Sequence, residues 1–442
     1  MSAILNLILF GFLLVVLYYS VKKIEIAIIV AVAIKLLVPY YVRFAGVSYF
    51  SVINYVIIVS YLCQHLIGYR TIVSRHKHLT NDMLVLGAGL TVCSFFGYDP
   101  FTDLLYTIKD NVLNFSLGLI FLFEFNRSKD LESFKNALLI TGAFVALYGL
   151  YNYIYTSNPY IDYLTILFPD EHFLIYDEER FGMKARVQST IFHSITFGSY
   201  MMLLSLFSLF CYLREGKNIF MVLFFVFFVS SFISASRSVL LSIVAGLLYL
   251  FFYLEPRKKL FIVIISSVFL LGFLSRESSL KQYFLSSVFF WDDTYANEAD
   301  VKGSSMEMRG EQLETVFETV PAQNALFGLG STYFTAHKID PKLRKMESAF
   351  FRVYVCFGLV GLAVWLNFMV KRLRSNFMFY YFYLNSKSTI ILNSLTISFG
   401  IFSLATGFMD SIFMFIIVYV LVYKYMHSDK VKSNNTFSQQ TF

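Results

Sequence analysis

The chain has 442 residues, of which 57% are hydrophobic and 15% are charged, and its formal net charge is +7. Soluble domains carry about 25% charged residues, whereas this chain repeats runs of about 20 apolar residues, which are typical of membrane-spanning helices. The composition therefore excludes a soluble globular protein and predicts an all-α polytopic membrane protein.

The apolar runs predict about 12–13 transmembrane helices in a single transmembrane domain over residues 1–426. The predicted spans are residues 3–21, 24–42, 50–68, 80–97, 111–125, 136–155, 191–213, 219–235, 238–254, 260–274, 348–370, 389–407 and 411–426. The first run lacks the basic region and the cleavage site of a signal peptide, so we interpret it as a retained span. Residues 427–442 are polar, which predicts a disordered cytoplasmic tail.

Basic residues concentrate in alternate short loops, such as "REGK" (214–217) and "KRLR" (371–374). Short cytoplasmic loops carry an excess of Lys and Arg, so these loops are predicted to face the cytoplasm, and their charge gives no indication of nucleic-acid binding. The intervening loops then face outward, and two of them, at about residues 156–190 and 275–347, are long enough to suggest a function. We therefore expect the functional site on the outer face.

Arg237 stands between two apolar runs in "SASRSVLL" (234–241), on the predicted outer side. An arginine at this place can be an interfacial residue whose side chain reaches water, or it can bind an anion. The excess of basic residues belongs on the inner side, so a lone outer arginine among serines favours an anion site. Ser236 is a candidate supporting residue.

Arg186 occurs in "KARVQSTIFHSITFGSYM" (184–201). If this segment is helical, Arg186, Thr190, His193 and Phe197 share one face, and the guanidinium can hold a phosphate with two hydrogen bonds. The alternative is an ordinary interfacial arginine paired with the acidic residues of "DEER" upstream. His193 is a candidate supporting residue, although a histidine near the end of a span is often only hydrogen-bonded in place.

The stretch "MEMRGEQLETVFETV" (306–320) predicts an amphipathic helix that ends before Pro321. Its apolar face consists of Leu313, Val316, Phe317 and Val320. Arg309 lies on the same face, one turn earlier. The helix can form a lid over the membrane surface, or it can be a packing helix whose arginine reaches water.

Glu347 precedes the apolar run of "KMESAFFRVYVCFGLVGL" (345–362). The dipole of a helix that starts here favours an anion, which is a sufficient structural reason for the glutamate. The functional alternative is a general base that accepts a proton from a hydroxyl nucleophile. His337, ten residues earlier, is a rival base because histidine titrates near neutral pH.

Several common site motifs are absent from the sequence. There is no phosphate-binding motif of an ATP-driven pump, and "GLGSTY" (328–333) lacks the third glycine of a dinucleotide loop. Arginines without metal ligands suit a pyrophosphate that departs as a leaving group. The candidate residues therefore predict group transfer from a phosphorylated lipid, with no metal and no cofactor.

Over about residues 180–365 the sequence resembles the O-antigen polymerase and O-antigen ligase superfamily. The likeness lies in the order of the motifs and in the number of spans. Four stretches carry the resemblance, in the order of the family: "RVQSTIFHSITFGSYM", "SASRSVLL", "MRGEQLETVFETVPAQNALFGLGSTYF" and "ESAFFRVYVCFGLVGL". The large external loop late in the chain, with its predicted helix, agrees with the family's layout.

The resemblance implies a GT-C-like glycosyltransferase of the bacterial inner membrane, with its active site facing the periplasm. Its donor is a glycan on undecaprenyl pyrophosphate, which Arg186 and Arg237 hold, with Arg309 as a third candidate, and the transfer inverts the anomeric carbon. Its expected partners are this lipid-linked glycan, membrane lipids and a chain-length regulator protein, without nucleic acid.

In ligase members of the family, a histidine followed by an asparagine opens the span after the large loop. The matching position in this sequence is Glu347, followed by Ser348. This departure favours a polymerase of repeat units, whose acceptor is another lipid-linked glycan, over a ligase that transfers the glycan to lipid A–core. A flippase or transporter is the third alternative, but the repeat-related halves and interrupted helices typical of transporters are not found in the sequence.

Overall fold

The computed structural model describes residues 2–39, 41–44, 47–66, 76–168, 186–191, 193–253, 306–335, 348–382, 387–406 and 410–439. In these ranges the chain forms α-helices, one π-helical segment (Ile108–Val112), one 3-10 helix (Ala322–Asn324) and one small antiparallel hairpin, in which β1 (Arg43–Phe44) pairs with β2 (Val47–Ser48). The helices are α1 (Ser2–Lys22), α2 (Ile24–Leu37), α3 (Tyr49–Leu66), α4 (Lys77–Ser94), α5 (Pro100–Thr107), α6 (Leu113–Glu124), α7 (Ser128–Tyr155), α8 (Pro159–Leu167), α9 (Ser194–Glu215), α10 (Asn218–Ile233), α11 (Arg237–Tyr253), α12 (Met306–Thr319), α13 (Ser331–Thr335), α14 (Ala349–Phe382), α15 (Lys387–Ala405) and α16 (Asp410–Gln439).

Six helices of the described residues are long and apolar enough to cross a membrane, and several further apolar helices are shorter. The six lie within α3, α7, α9, α14, α15 and α16. Because almost all of the described secondary structure is helical, the protein is an all-α polytopic membrane protein, as predicted. The predicted span at 260–274 lies outside the described residues, and each of the other predicted spans coincides with a helix.

The last helix differs from its prediction. We expected a span over residues 411–426 followed by a disordered tail, whereas the backbone of α16 stays helical to Gln439. The extension contains neither proline nor glycine, the two residues that most oppose a helix. A polar sequence can therefore continue the helix of the preceding span.

Helix α9 lies at the centre of the bundle and is buried along its whole apolar length. Its neighbours include α7, α10, α11, α15 and α16. Glycines allow several helices to approach closely, as is common in membranes. Gly142 on α7 faces Leu204 of α9, and Gly246 on α11 faces Ser394 of α15, whose hydroxyl donates to the Gly246 carbonyl at 2.9 Å. The tight packing fixes the relative positions of the helix ends.

A cluster of charged residues joins α7, α9 and α16 at one end of the bundle. Lys135, whose side chain is 3% exposed, forms ion pairs with Glu132 and Glu215. Glu132 also accepts hydrogen bonds from Tyr425 at 3.0 Å and from Arg214 at 3.4 Å. Burying a charge is costly unless it is paired, so Lys135 holds this cluster together.

We expect Lys135→Met to lower the free energy of unfolding by about 2 kcal/mol, because it leaves two carboxylates without their buried partner. The effect is smaller than for a fully buried pair since Glu132 is 40% exposed. Thermal unfolding of the detergent-solubilised protein measures it. Lys129→Met removes an exposed charge from the same end of α7 and serves as the control; equal shifts in the two variants would contradict the prediction.

Candidate anion-binding site

The segment that carries Arg186 is not helical. Residues 186–188 form no regular element, Ser189 has a positive φ of 57°, and α9 begins only at Ser194. The predicted helical face of Arg186, Thr190, His193 and Phe197 is therefore wrong. The segment is not helical because hydroxyl groups near a helix start often form hydrogen bonds with backbone groups, and these bonds compete with helix formation.

Hydrogen bonds fix this segment to three other helices. The Ser189 hydroxyl donates to the Val145 carbonyl of α7 at 2.6 Å, and the Thr190 hydroxyl donates to the Leu36 carbonyl of α2 at 2.7 Å. The Asn158 amide, at the start of α8, donates to the Ser189 carbonyl at 2.8 Å. Arg186, which is 7% exposed, is thus attached to a rigid segment.

Arg237 is the first residue of α11 and is half-buried. It follows a tight turn in which Ala235 has a positive φ of 52°. The turn packs on the second turn of α9, because a Cβ on Gly198 would collide with Ser234 and lie 3.1 Å from Val239 Cγ2. The second turn of α9 and the first turn of α11 are therefore neighbours.

Arg186 and Arg237 consequently lie at the same end of the bundle, which we call the arginine end. Each arginine precedes or opens a long helix, and the N-terminus of a helix favours an anion through its exposed N–H groups and its dipole. Two guanidinium groups and two neighbouring helix N-termini can together bind a ligand with several negative charges.

Other polar groups lie buried around the start of α9. Gln188 Oε1 and Ser194 Oγ have no hydrogen-bond partner among the described residues, and their residues are 3% and 0% exposed. Buried polar groups are usually hydrogen-bonded, so both atoms are suited to bind a ligand. Neither residue was singled out from the sequence, although a polar side chain near an arginine at a span end is a signal that could have identified them.

The two supporting residues of the prediction have local structural roles. His193 is the N-cap of α9, where its Nδ1 accepts a hydrogen bond from the Ile195 N–H at 3.3 Å. The Ser236 hydroxyl lies 2.9 Å from the Ser238 hydroxyl. Both residues help to shape the helix starts next to the arginines.

Lys35 is a further cation at the arginine end that sequence reasoning missed. It lies in the last turn of α2, with its Nζ 4.6 Å from the centroid of the Phe50 ring. The neighbouring Leu36 carbonyl binds the segment of Arg186. An ionisable residue within an apolar run was the available signal.

The late loop is described in part. The helix predicted over residues 306–320 exists as α12, with Val316 and Val320 buried, whereas Leu313 and Phe317 are 43% and 64% exposed. Only half of the predicted apolar face is thus covered by protein. Arg309 lies on α12, but its side chain is outside the described part of the structure.

The two candidate bases, Glu347 and His337, lie outside the described residues. Glu347 immediately precedes Ser348, and α14 begins at Ala349. The structure therefore brings Arg186 and Arg237 to one end of the bundle, and the roles of all five residues (Arg186, Arg237, Arg309, Glu347 and His337) stay predictions.

A comparison with family models finds a match that covers most of α9 and includes Arg237. Residues 196–366 match the model of a family described as O-antigen ligase. No curated protein matches the chain. The matched range falls on the stretch whose motifs resemble that family. The match over residues 196–366 therefore supports the resemblance to the O-antigen polymerase and ligase superfamily.

Proposed function

We propose that this protein is a polymerase of oligosaccharide repeat units, of O-antigen or capsule, carried on undecaprenyl pyrophosphate. It acts at the outer face of the bacterial inner membrane. The observation that carries the proposal is the placement of Arg186, in the segment before α9, and of Arg237, at the start of α11, at one end of the bundle and in or beside a domain of this superfamily. Such a site suits the two phosphates of the donor.

In the proposed reaction, a hydroxyl of the acceptor glycan attacks C1 of the first sugar of the donor. A new C1–O glycosidic bond forms as the bond from C1 to the phosphate oxygen breaks, and the anomeric carbon inverts. Glu347 or His337 takes the hydroxyl proton. The arginines stabilise the negative charge that develops on the departing undecaprenyl pyrophosphate, so no metal is needed.

The ligase is the second candidate function, and the description of the matched family as O-antigen ligase favours it. The ligase differs in its acceptor, which is lipid A–core in place of a second lipid-linked glycan. The polymerase is preferred because Glu347 and Ser348 occupy the positions where the resemblance expects a histidine and an asparagine in ligase members.

Reconstitution tests the proposal directly. The purified protein in proteoliposomes receives undecaprenyl-pyrophosphate-linked repeat units, first alone and then with lipid A–core. A polymerase yields a ladder of lengthened lipid-linked glycans without lipid A–core. A ligase yields single repeat units on lipid A–core and no ladder, and the absence of both products would refute a transferase.

Deletion of the gene in its host gives an independent result. We expect lipopolysaccharide with single repeat units attached to the core, since ligation continues without polymerisation. Complete loss of attached glycan, with polymer accumulating on the carrier lipid, would indicate the ligase. A gel of the surface polysaccharide separates the two outcomes.

A further inference from the structure

Helix α14 is interrupted at Gly358, which has φ 65° and ψ −163°. No interrupted helix was found in the sequence, whereas the structure shows one in α14. The backbone groups released by the interruption pair with residues 325–330, which we call the docked loop. The hydrogen bonds are Leu359 N to Ala325 O at 2.9 Å, Val360 N to Leu326 O at 3.0 Å, Leu329 N to Val355 O at 2.7 Å and Gly330 N to Cys356 O at 3.0 Å. In transporters, the free backbone groups of an interrupted helix bind the ligand. In α14 the corresponding N–H and carbonyl groups are instead hydrogen-bonded to the docked loop.

The carboxylate of Asp103, on α5, binds Thr332 at the start of α13, which directly follows the docked loop. Its Oδ1 accepts hydrogen bonds from the Thr332 N–H at 2.5 Å and from the Thr332 hydroxyl at 2.7 Å, and its Oδ2 accepts one from the Asp99 N–H at 3.1 Å. Gly97 and Gly330 flank the carboxylate so closely that a Cβ on either would collide with it. The site is thus shaped around this side chain.

Asp103 is fully buried, with 0% of its surface exposed, so it does not reach a substrate. A buried carboxylate is costly, and its hydrogen bonds offset part of that cost. A well-packed apolar side chain would serve stability equally well. The carboxylate is therefore suited to a task that needs directed hydrogen bonds, namely holding one loop in one position.

The docked loop connects two elements that carry candidate reactive residues. It follows α12, which bears Arg309, and α12 packs on the first half of α14 through Val316 and Tyr354. The first half of α14 begins directly after Glu347 and Ser348. A shift of the docked loop would move both elements relative to the arginine end.

We propose that Asp103 is a positioning residue for glycan transfer: its carboxylate anchors the docked loop at Thr332 and thereby aligns α12 and the first half of α14 with the arginine end. The inference rests on the proposed function. A displacement of about 1 Å far from the reacting atoms can lower turnover about 100-fold, so the anchor acts on the reaction without contacting substrate.

The test compares Asp103→Ala, Asp103→Asn and Thr332→Val with the wild-type protein in proteoliposomes, per amount of folded protein. We expect Asp103→Ala to lower kcat about 100-fold and to change the KM for the lipid-linked donor less than about threefold. Thr332→Val, which loses one hydrogen bond, lowers kcat about tenfold. Asp103→Asn keeps the Oδ1 acceptor and restores kcat to within about tenfold of the wild type.

Hydrogen–deuterium exchange gives a readout that does not depend on activity. Asp103→Ala and Thr332→Val should speed amide exchange over residues 325–332 at least about tenfold, because loss of the anchor lets the loop open locally. Asp99→Ala is the matched control: it removes the side-chain cap of the same helix, which accepts from the Thr102 N–H at 3.4 Å and from the Thr102 hydroxyl at 2.7 Å, and it keeps the backbone N–H that donates to Asp103 Oδ2. It should leave the exchange of the docked loop unchanged.

The outcomes separate this inference from the proposed function. Unchanged exchange in both anchor variants, or a folded Asp103→Ala protein with wild-type kcat, overturns the role of Asp103. If the wild-type protein is active, the proposed function is unaffected by either of these results. A wild type that transfers no glycan refutes the proposed function, and with it the positioning role. If Asp103→Ala does not fold, Thr332→Val decides by the same two measurements.

Discussion

Arg237→Ala is expected to abolish polymer formation while the protein stays folded in the membrane. The guanidinium belongs to the first residue of α11, and the turn before it packs on the second turn of α9; there it can stabilise the charge of a departing pyrophosphate. Removal of one preorganised group of this kind lowers turnover about 100- to 1,000-fold. The measurement is the rate of glycan transfer per amount of folded protein, together with a gel of the polymer.

Two further variants show whether position or charge alone is responsible. Arg237→Lys keeps the positive charge but loses the two-pronged geometry that matches a phosphate, so we expect partial activity. Arg43→Ala removes an exposed arginine of β1, close to where α2 ends, and should leave transfer unchanged. Normal polymer in Arg237→Ala would contradict an anion site at this residue.

The spans were predictable because length and apolar composition decide them almost alone. The interruption of α14 could not be predicted. Gly358 stands in "CFGLVGL" close to a second glycine, Gly361, and nothing in the local sequence distinguishes the two. The helix is interrupted at Gly358 because the docked loop, which comes from earlier in the chain, forms hydrogen bonds with the backbone there. Tertiary hydrogen bonds of this kind leave no periodic signal in the sequence.

The site was predictable in part. The alternation of basic and non-basic loops placed Arg186 and Arg237 at one end, and the bundle brings them there. The local conformation of Arg186 was mispredicted because Ser189 and Thr190 bond to α7 and α2, which are distant in sequence. Asp103 went unnoticed for the same reason, since "GYDPFTD" reads as a solvated loop until Thr332 is brought against it.

The interruption of α14 at Gly358 leads us to expect a second large effect, on the stability of the protein. Gly358→Ala should lower the free energy of unfolding by about 3 kcal/mol, because φ 65° with ψ −163° is a conformation that only glycine adopts readily. The added Cβ would also lie 2.5 Å from the backbone of Leu326 and Phe327. Either the loop must leave α14 or the helix must close the break, and both changes lose hydrogen bonds between the two.

Thermal unfolding in detergent measures this loss, with Gly400→Ala as the matched control. Gly400 lies within α15, and a Cβ there meets no atom within 4 Å, so the control should match the wild type or exceed its stability by up to about 1 kcal/mol. Equal stability of the two alanine variants would mean that α14 does not need its break. A different result is that only Gly358→Ala is destabilised and that its remaining folded fraction transfers glycan slowly. The break and the docked loop then serve both stability and alignment, because the same backbone hydrogen bonds hold the first half of α14 in place.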